Sequence, residues 1–97
     1  MSTKRKNAKK PSAADRRVVE RVQTGLRIER RLLKVMKGLA EYHDISLGDL
    51  VEGIVLHVFE GKKPLGRESL QVVGRLRDVY GLDLVAADSH RLQESGR

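Results

Sequence analysis

Apolar and polar positions along this chain follow two different periods. Between residues 21 and 28 they alternate, with Val22, Thr24, Leu26 and Ile28 on one parity and Arg21, Gln23, Gly25 and Arg27 on the other. A period of two predicts a strand with one buried and one polar face. From Leu32 the period lengthens. Leu32, Val35, Met36, Leu39, Ala40 and His43 recur at three- and four-residue steps, opposite Arg30, Arg31, Lys34, Lys37 and Glu41. This predicts an amphipathic helix, weakened at Gly38 by about 1 kcal/mol relative to Ala.

Ser46 and Asp49 stand at capping-box spacing and open a second helix. Its apolar set, Leu47, Leu50, Val51, Ile54, Val55, Leu56, Val58 and Phe59, runs around most of the circumference. One neighbouring helix and one strand cannot cover it. Gly61, followed by Lys62, Lys63 and Pro64, stops the helix. A third helix is predicted from about Glu68 to Tyr80, on a stripe of Leu70, Val73, Leu76 and Val79 with Gly81 as its cap. The remainder starts apolar at Leu82, Leu84, Val85 and Ala86 and then turns polar, a pattern that fits a short strand or a helical turn alike. The expected organisation is therefore a disordered basic tail over 1–17, a strand-helix-helix unit over 18–61, and an extension over 62–97 with its helix near 68–80.

Charge sharpens this division. The chain has 97 residues and a net charge of +7. Residues 1–17 carry Lys4, Arg5, Lys6, Lys9, Lys10, Arg16 and Arg17 against Asp15, and residues 21–37 carry Arg21, Arg27, Arg30, Arg31, Lys34 and Lys37 against Glu29. Residues 38–97 are mildly acidic. A basic front and an acidic rear suggest one face for a polyanion and another for protein contacts. The tail, interrupted by Pro11, has too little apolar surface to offset its ordering entropy.

Composition excludes several classes of function. Aromatics are 3% of the chain, too few for a base-stacking platform, and the absence of cysteine removes disulfides and thiolate zinc sites. Asp88, Ser89 and His90 have the residue types of a hydrolase triad, but contiguous residues cannot converge in those roles. His43, His57 and His90 match no ligand spacing. No catalytic residue, metal or cofactor is expected. No stretch approaches the roughly 20 apolar residues of a membrane span, so the expected setting is cytoplasmic, with no membrane partner.

One strand and two helices bury too little to stand alone, and a lone strand leaves its edge unpaired. Two chains pairing their strands antiparallel and packing their second helices together would resolve both problems. The dimer core would be Leu26, Ile28, Leu50, Val51, Ile54 and Val55. The paired strands would form a ribbon that fits the DNA major groove and carries Arg21, Gln23, Gly25 and Arg27 on its outer face.

The segment RVQTGLRIERRLLKVMKGLAEYHDISLGDLVEGIVLHVFEG resembles the ribbon-helix-helix repressors, the group containing Arc, MetJ and CopG. The resemblance covers residues 21–61. It implies a mainly α chain in which one N-terminal strand and two helices form a ribbon-helix-helix homodimer, here with an additional C-terminal helix. It also implies base contacts from Gln23, Gly25 and Arg27, and phosphate contacts from Arg21, Arg30, Lys34 and the start of the second helix at Ser46, Leu47 and Gly48. Lys4, Arg5, Lys6, Lys9 and Lys10 of the tail would add contacts without sequence preference. The function implied is that of a sequence-specific, double-stranded DNA-binding repressor in a bacterial or archaeal nucleoid. Two alternatives stand beside it. One is an antitoxin or plasmid-partition accessory whose residues 62–97 bind a protein partner. The other is a three-helix helix-turn-helix with residues 42–46 as its turn.

Overall fold

The apolar stripe that starts at Leu32 does form a helix. In the computed structural model, which describes residues 16–95, α1 spans Arg30–Tyr42. Glu29 caps it, its carboxylate accepting the Leu32 N–H at 2.8 Å. The helix ends in a left-handed turn at Asp44 (φ +59°), where the Ile45 N–H donates to the Ala40 carbonyl at 3.0 Å. That turn directs Ile45 back onto the core.

The second helix, α2, spans Leu47–Phe59, and the Ser46 hydroxyl accepts the Asp49 N–H at 3.0 Å as the capping spacing predicts. Gly61 (φ +71°) and the Lys62 N–H on the His57 carbonyl at 2.8 Å close it. The third, α3, spans Arg67–Tyr80 and ends at Gly81 (φ +66°), beyond which Leu82 donates to the Arg77 carbonyl at 2.9 Å and is buried. The segment left open between strand and helical turn contains one 3-10 turn, Ala86–Asp88. There Asp88 accepts the Val85 N–H at 2.8 Å.

The expected strand is absent. Among the described residues there is no β-strand, and residues 16–29 have no regular secondary structure. This overturns the ribbon-helix-helix class: the described chain is three helices preceded by an irregular segment. The physical reason is that alternation records a preference for covering one face, whereas a strand exists only when another strand satisfies its amides. Among the described residues, none offers residues 21–28 such a neighbour. The parity expected to be buried is open to solvent, with Val22 80% and Leu26 74% exposed.

α1 is the shared partner in the core, packing against both other helices and more extensively against α3. Leu39 and Ala40 from α1, Leu50 from α2 and Val72 from α3 are buried together, with Met36, Ile45, Leu47, Ile54, Leu65, Val73 and Leu76 around them. Side-chain contacts show that α1 and α3 run antiparallel. Near one end Arg31 donates to the Gly81 carbonyl at 2.8 Å, and Lys34 Nζ sits 5.5 Å from the centre of the Tyr80 ring. At the other end His43 Nε2 and the buried Ser69 hydroxyl share a hydrogen bond of 2.8 Å, beside a Tyr42–Glu68 hydrogen bond.

Midway, the two helices meet at Gly38. A Cβ there would lie 2.9 Å from Leu76 Cδ2 and 3.0 Å from Cδ1. Glycine's cost in helix propensity is thus the condition for close approach. In a Leu76→Ala background, Gly38→Ala is expected to stabilise the fold by roughly 0.5–1 kcal/mol in urea denaturation. In the native background the gain should shrink or reverse as Leu76 is displaced. Equal effects in both backgrounds would show that the contact does not constrain position 38.

Candidate nucleic-acid interface

Spacing alone places one set of cations together. Arg30, Lys34 and Lys37 lie four and three residues apart, so they share a stripe of α1 opposite the buried Val35 and Leu39. All three are exposed, and Arg30 and Lys37 have no acidic partner among the described residues. The segment before α1 extends the charge with Arg16, Arg17, Arg21 and Arg27, all exposed.

Two of these arginines are held by carboxylates far away in sequence. Arg21 Nε and Nη2 both donate to Glu52 of α2 at 2.8 Å, a fork-to-fork pair. Arg27 donates to Glu94 in the same way, through Nε at 3.0 Å and through Nη2. These hydrogen bonds hold the Glu52 and Glu94 carboxyls below the usual carboxylate range and raise both guanidiniums. Arg31 is occupied structurally, bridging Glu29, the Gly81 carbonyl and Asp83.

Of the residues expected to read bases, Gln23, Gly25 and Arg27 are exposed on the irregular segment. Among those expected at phosphates, Arg21 is paired, whereas Arg30 and Lys34 lie on the α1 stripe. Ser46, Leu47 and Gly48 open α2 as expected, but the first turn also carries Asp49, which faces Arg21 closely enough to stabilise its charge. The tail residues Lys4, Arg5, Lys6, Lys9 and Lys10, and with them most of the tail expected over 1–17, lie outside the described residues. The expected dimer core is divided. Leu50 and Ile54 pack into the chain's own core, Val51 is half-buried, and Leu26, Ile28 and Val55 are exposed.

Sequence reasoning passed over three contributors. Lys37 was legible from its spacing to Arg30 and Lys34. Glu52 and Glu94 carried no local signal, because their partners stand 31 and 67 residues away.

The apolar surplus of α2 is visible as exposure. Leu56, Val58 and Phe59 point to solvent with Val55, and Phe59 is 79% exposed. α2 has no Lys or Arg, and Asp49 and Glu52 would repel phosphate, so this helix does not suit a DNA groove. Of the histidines, His57 Nδ1 donates to the Gly53 carbonyl at 2.6 Å. No group of three or more His, Cys, Asp or Glu among the described residues could hold a metal ion, and no helix there is long and apolar enough to cross a membrane. No family model, curated protein or solved structure matches this chain.

Glu29 supplies a pH test. The Leu32 N–H, and then Arg31, hold its carboxyl below the ordinary range. A carboxylate depressed in the folded state adds stability above its unfolded pKa and loses it as pH falls through the folded value. Thermal midpoints of the wild type should therefore fall on acidification through the carboxylate range. Glu29→Gln should lie lower at neutral pH and converge on the wild type in acid. Parallel curves would show that the cap contributes nothing.

Proposed function

We propose that this chain is a double-stranded DNA-binding regulator that acts as a homodimer, repressing by occupying its site. The observation that carries the reading is the α1 stripe of Arg30, Lys34 and Lys37, none of them with an acidic partner among the described residues, continuous with the arginine-bearing segment before it. From Arg30 to Lys37 the helix rises about 10 Å, close to the roughly 10 Å of duplex axis between the first and last of four successive phosphates on one strand. Phosphate contact fixes position, while Gln23 and Arg27 on the exposed segment supply the groups that distinguish base edges. Duplex is favoured over single strands because aromatics are 3% of the chain, too few for a base-stacking platform.

The exposed face of α2 supports the second copy. Val55, Leu56, Val58 and Phe59 form an apolar patch bordered by Glu52, Glu60 and Lys62. A rim carrying both signs can face itself across a two-fold axis, as a homodimer requires. Patches of this kind on a soluble chain mark protein contacts.

A sequence-enrichment selection on random duplex DNA at roughly physiological salt, with the full chain, is expected to recover a short motif repeated with two-fold symmetry. Replacing Arg30, Lys34 and Lys37 together by Ala should reduce the log–log salt slope by about 0.9 for each phosphate that is no longer neutralised. Arg27→Ala should weaken one base position by roughly 5- to 150-fold, and equal weakening on every sequence would remove its base-reading role. Absence of any enrichment would overturn the reading. Sedimentation should show a dimer that Phe59→Asp converts to a folded monomer; a monomeric wild type at micromolar concentration would refute the homodimer.

A further inference from the structure

Beyond α3 the chain turns back toward the segment that precedes α1. Its first part is anchored. Leu82 is buried, Arg31 reaches Asp83 at 3.2 Å, and Arg77 donates to the Leu84 carbonyl at 2.7 Å. Beyond the 3-10 turn, residues 89–95 are exposed and irregular. Leu92, Gln93, Glu94 and Ser95 form one wall of a cleft of about 730 Å³, with Leu26, Arg27, Ile28, Arg30 and Leu33 opposite. The hydrogen bonds across it join both oxygens of Glu94 to Nε and Nη2 of Arg27. These are donors that a guanidinium uses for a phosphate or a guanine edge.

We propose that residues 89–95 are an autoinhibitory strap, in which Glu94 occupies Arg27 until duplex DNA displaces it. The proposal rests on the DNA-binding reading above. Its chemistry is competition between two anions for one fork. No covalent step is involved, and the strap need only swing away, since no residue from 89 to 95 is buried. Both side chains are largely open to solvent, at 82% and 61%. Exposed ion pairs are weak, so the strap tunes affinity rather than abolishing it. It acts hardest against non-specific sites, which provide phosphate alone and so have least with which to displace the carboxylate.

The test compares full-length wild type, Glu94→Gln and Asp44→Asn by titration with duplex DNA at low and physiological salt. Asp44 is the control, because Asn there removes the same charge from an exposed carboxylate beyond the far end of α1 and keeps a side chain suited to its left-handed backbone. Glu94→Gln is expected to tighten binding about two- to fivefold at low salt and less as salt screens the pair. Asp44→Asn should leave affinity unchanged, and Glu94→Gln should have no effect in an Arg27→Ala background. Equal tightening by both charge variants would reduce the effect to net charge and overturn the strap. So would no tightening by Glu94→Gln.

Limited trypsin cleavage after Arg91 in the free protein provides a readout without DNA. Glu94→Gln should accelerate it, and an unchanged rate would mean that Glu94 does not hold the segment. If cleavage accelerates while the wild type binds no duplex under any condition, the Arg27–Glu94 pair is real but gates nothing. The DNA reading then fails and takes the strap's proposed role with it. If duplex binds and neither affinity nor cleavage responds, only the strap fails.

Discussion

The architecture depends on α1 being the helix that both others need. Leu39 and Ala40 meet Leu50 from α2 and Val72 from α3, so α1 spends one broad arc of its surface on two partners. The opposite arc, with Arg30, Lys34 and Lys37, is left to solvent. Burial of apolar area drives this arrangement, and among the described residues six hydrophobic ones fall to 8% exposure or below. A core that small gives each close approach unusual weight. The meeting of α1 and α3 at Gly38, with Leu76 almost touching the backbone, is accordingly reinforced at both ends by polar ties from Arg31 and His43.

The exposed arginine pairs add little to stability. Arg21 and Arg27 are bidentate to Glu52 and Glu94, yet all four groups are exposed, where water and salt reduce such pairs to small contributions. Arg31 differs. It is half-buried, lies at the carboxyl end of α3 where a cation is favoured, and donates to a backbone carbonyl that otherwise lacks a helical partner. The structural arginine and the exchangeable ones are thus separated by burial and by what they hold.

Local signals in the sequence were legible. The Ser46 cap and the left-handed glycines at 61 and 81 each act within a few residues, and the structure has them in the expected roles. The period-two run at 21–28 misled because alternation is local whereas a strand is a relation between two segments, and the described residues supply no second one. The same distinction explains Gly38, legible as a propensity cost but not as a neighbour of Leu76. It also explains Glu94, whose role lies 67 residues from its partner. The positive stripe was half legible: helical spacing placed Arg30, Lys34 and Lys37 together, but only the fold shows which neighbouring cations are already engaged.

The ends of the three helices set α2 apart. Each closes with the same bond from an amide to a carbonyl five residues earlier: Ile45 to Ala40, Lys62 to His57, and Leu82 to Arg77. In α1 and α3 the residue that donates this bond is apolar and turns into the core, clamping the end. In α2 it is Lys62, and the preceding turns expose Leu56, Val58 and Phe59. If α2 existed only to cover α1, Leu47, Leu50 and Ile54 would suffice and its far face would be polar, as the far face of α1 is. Among the described residues nothing covers this surplus. A two-fold interface through α2 would bury it and would set two α1 stripes in fixed relation, turning one row of cations into two with a defined spacing.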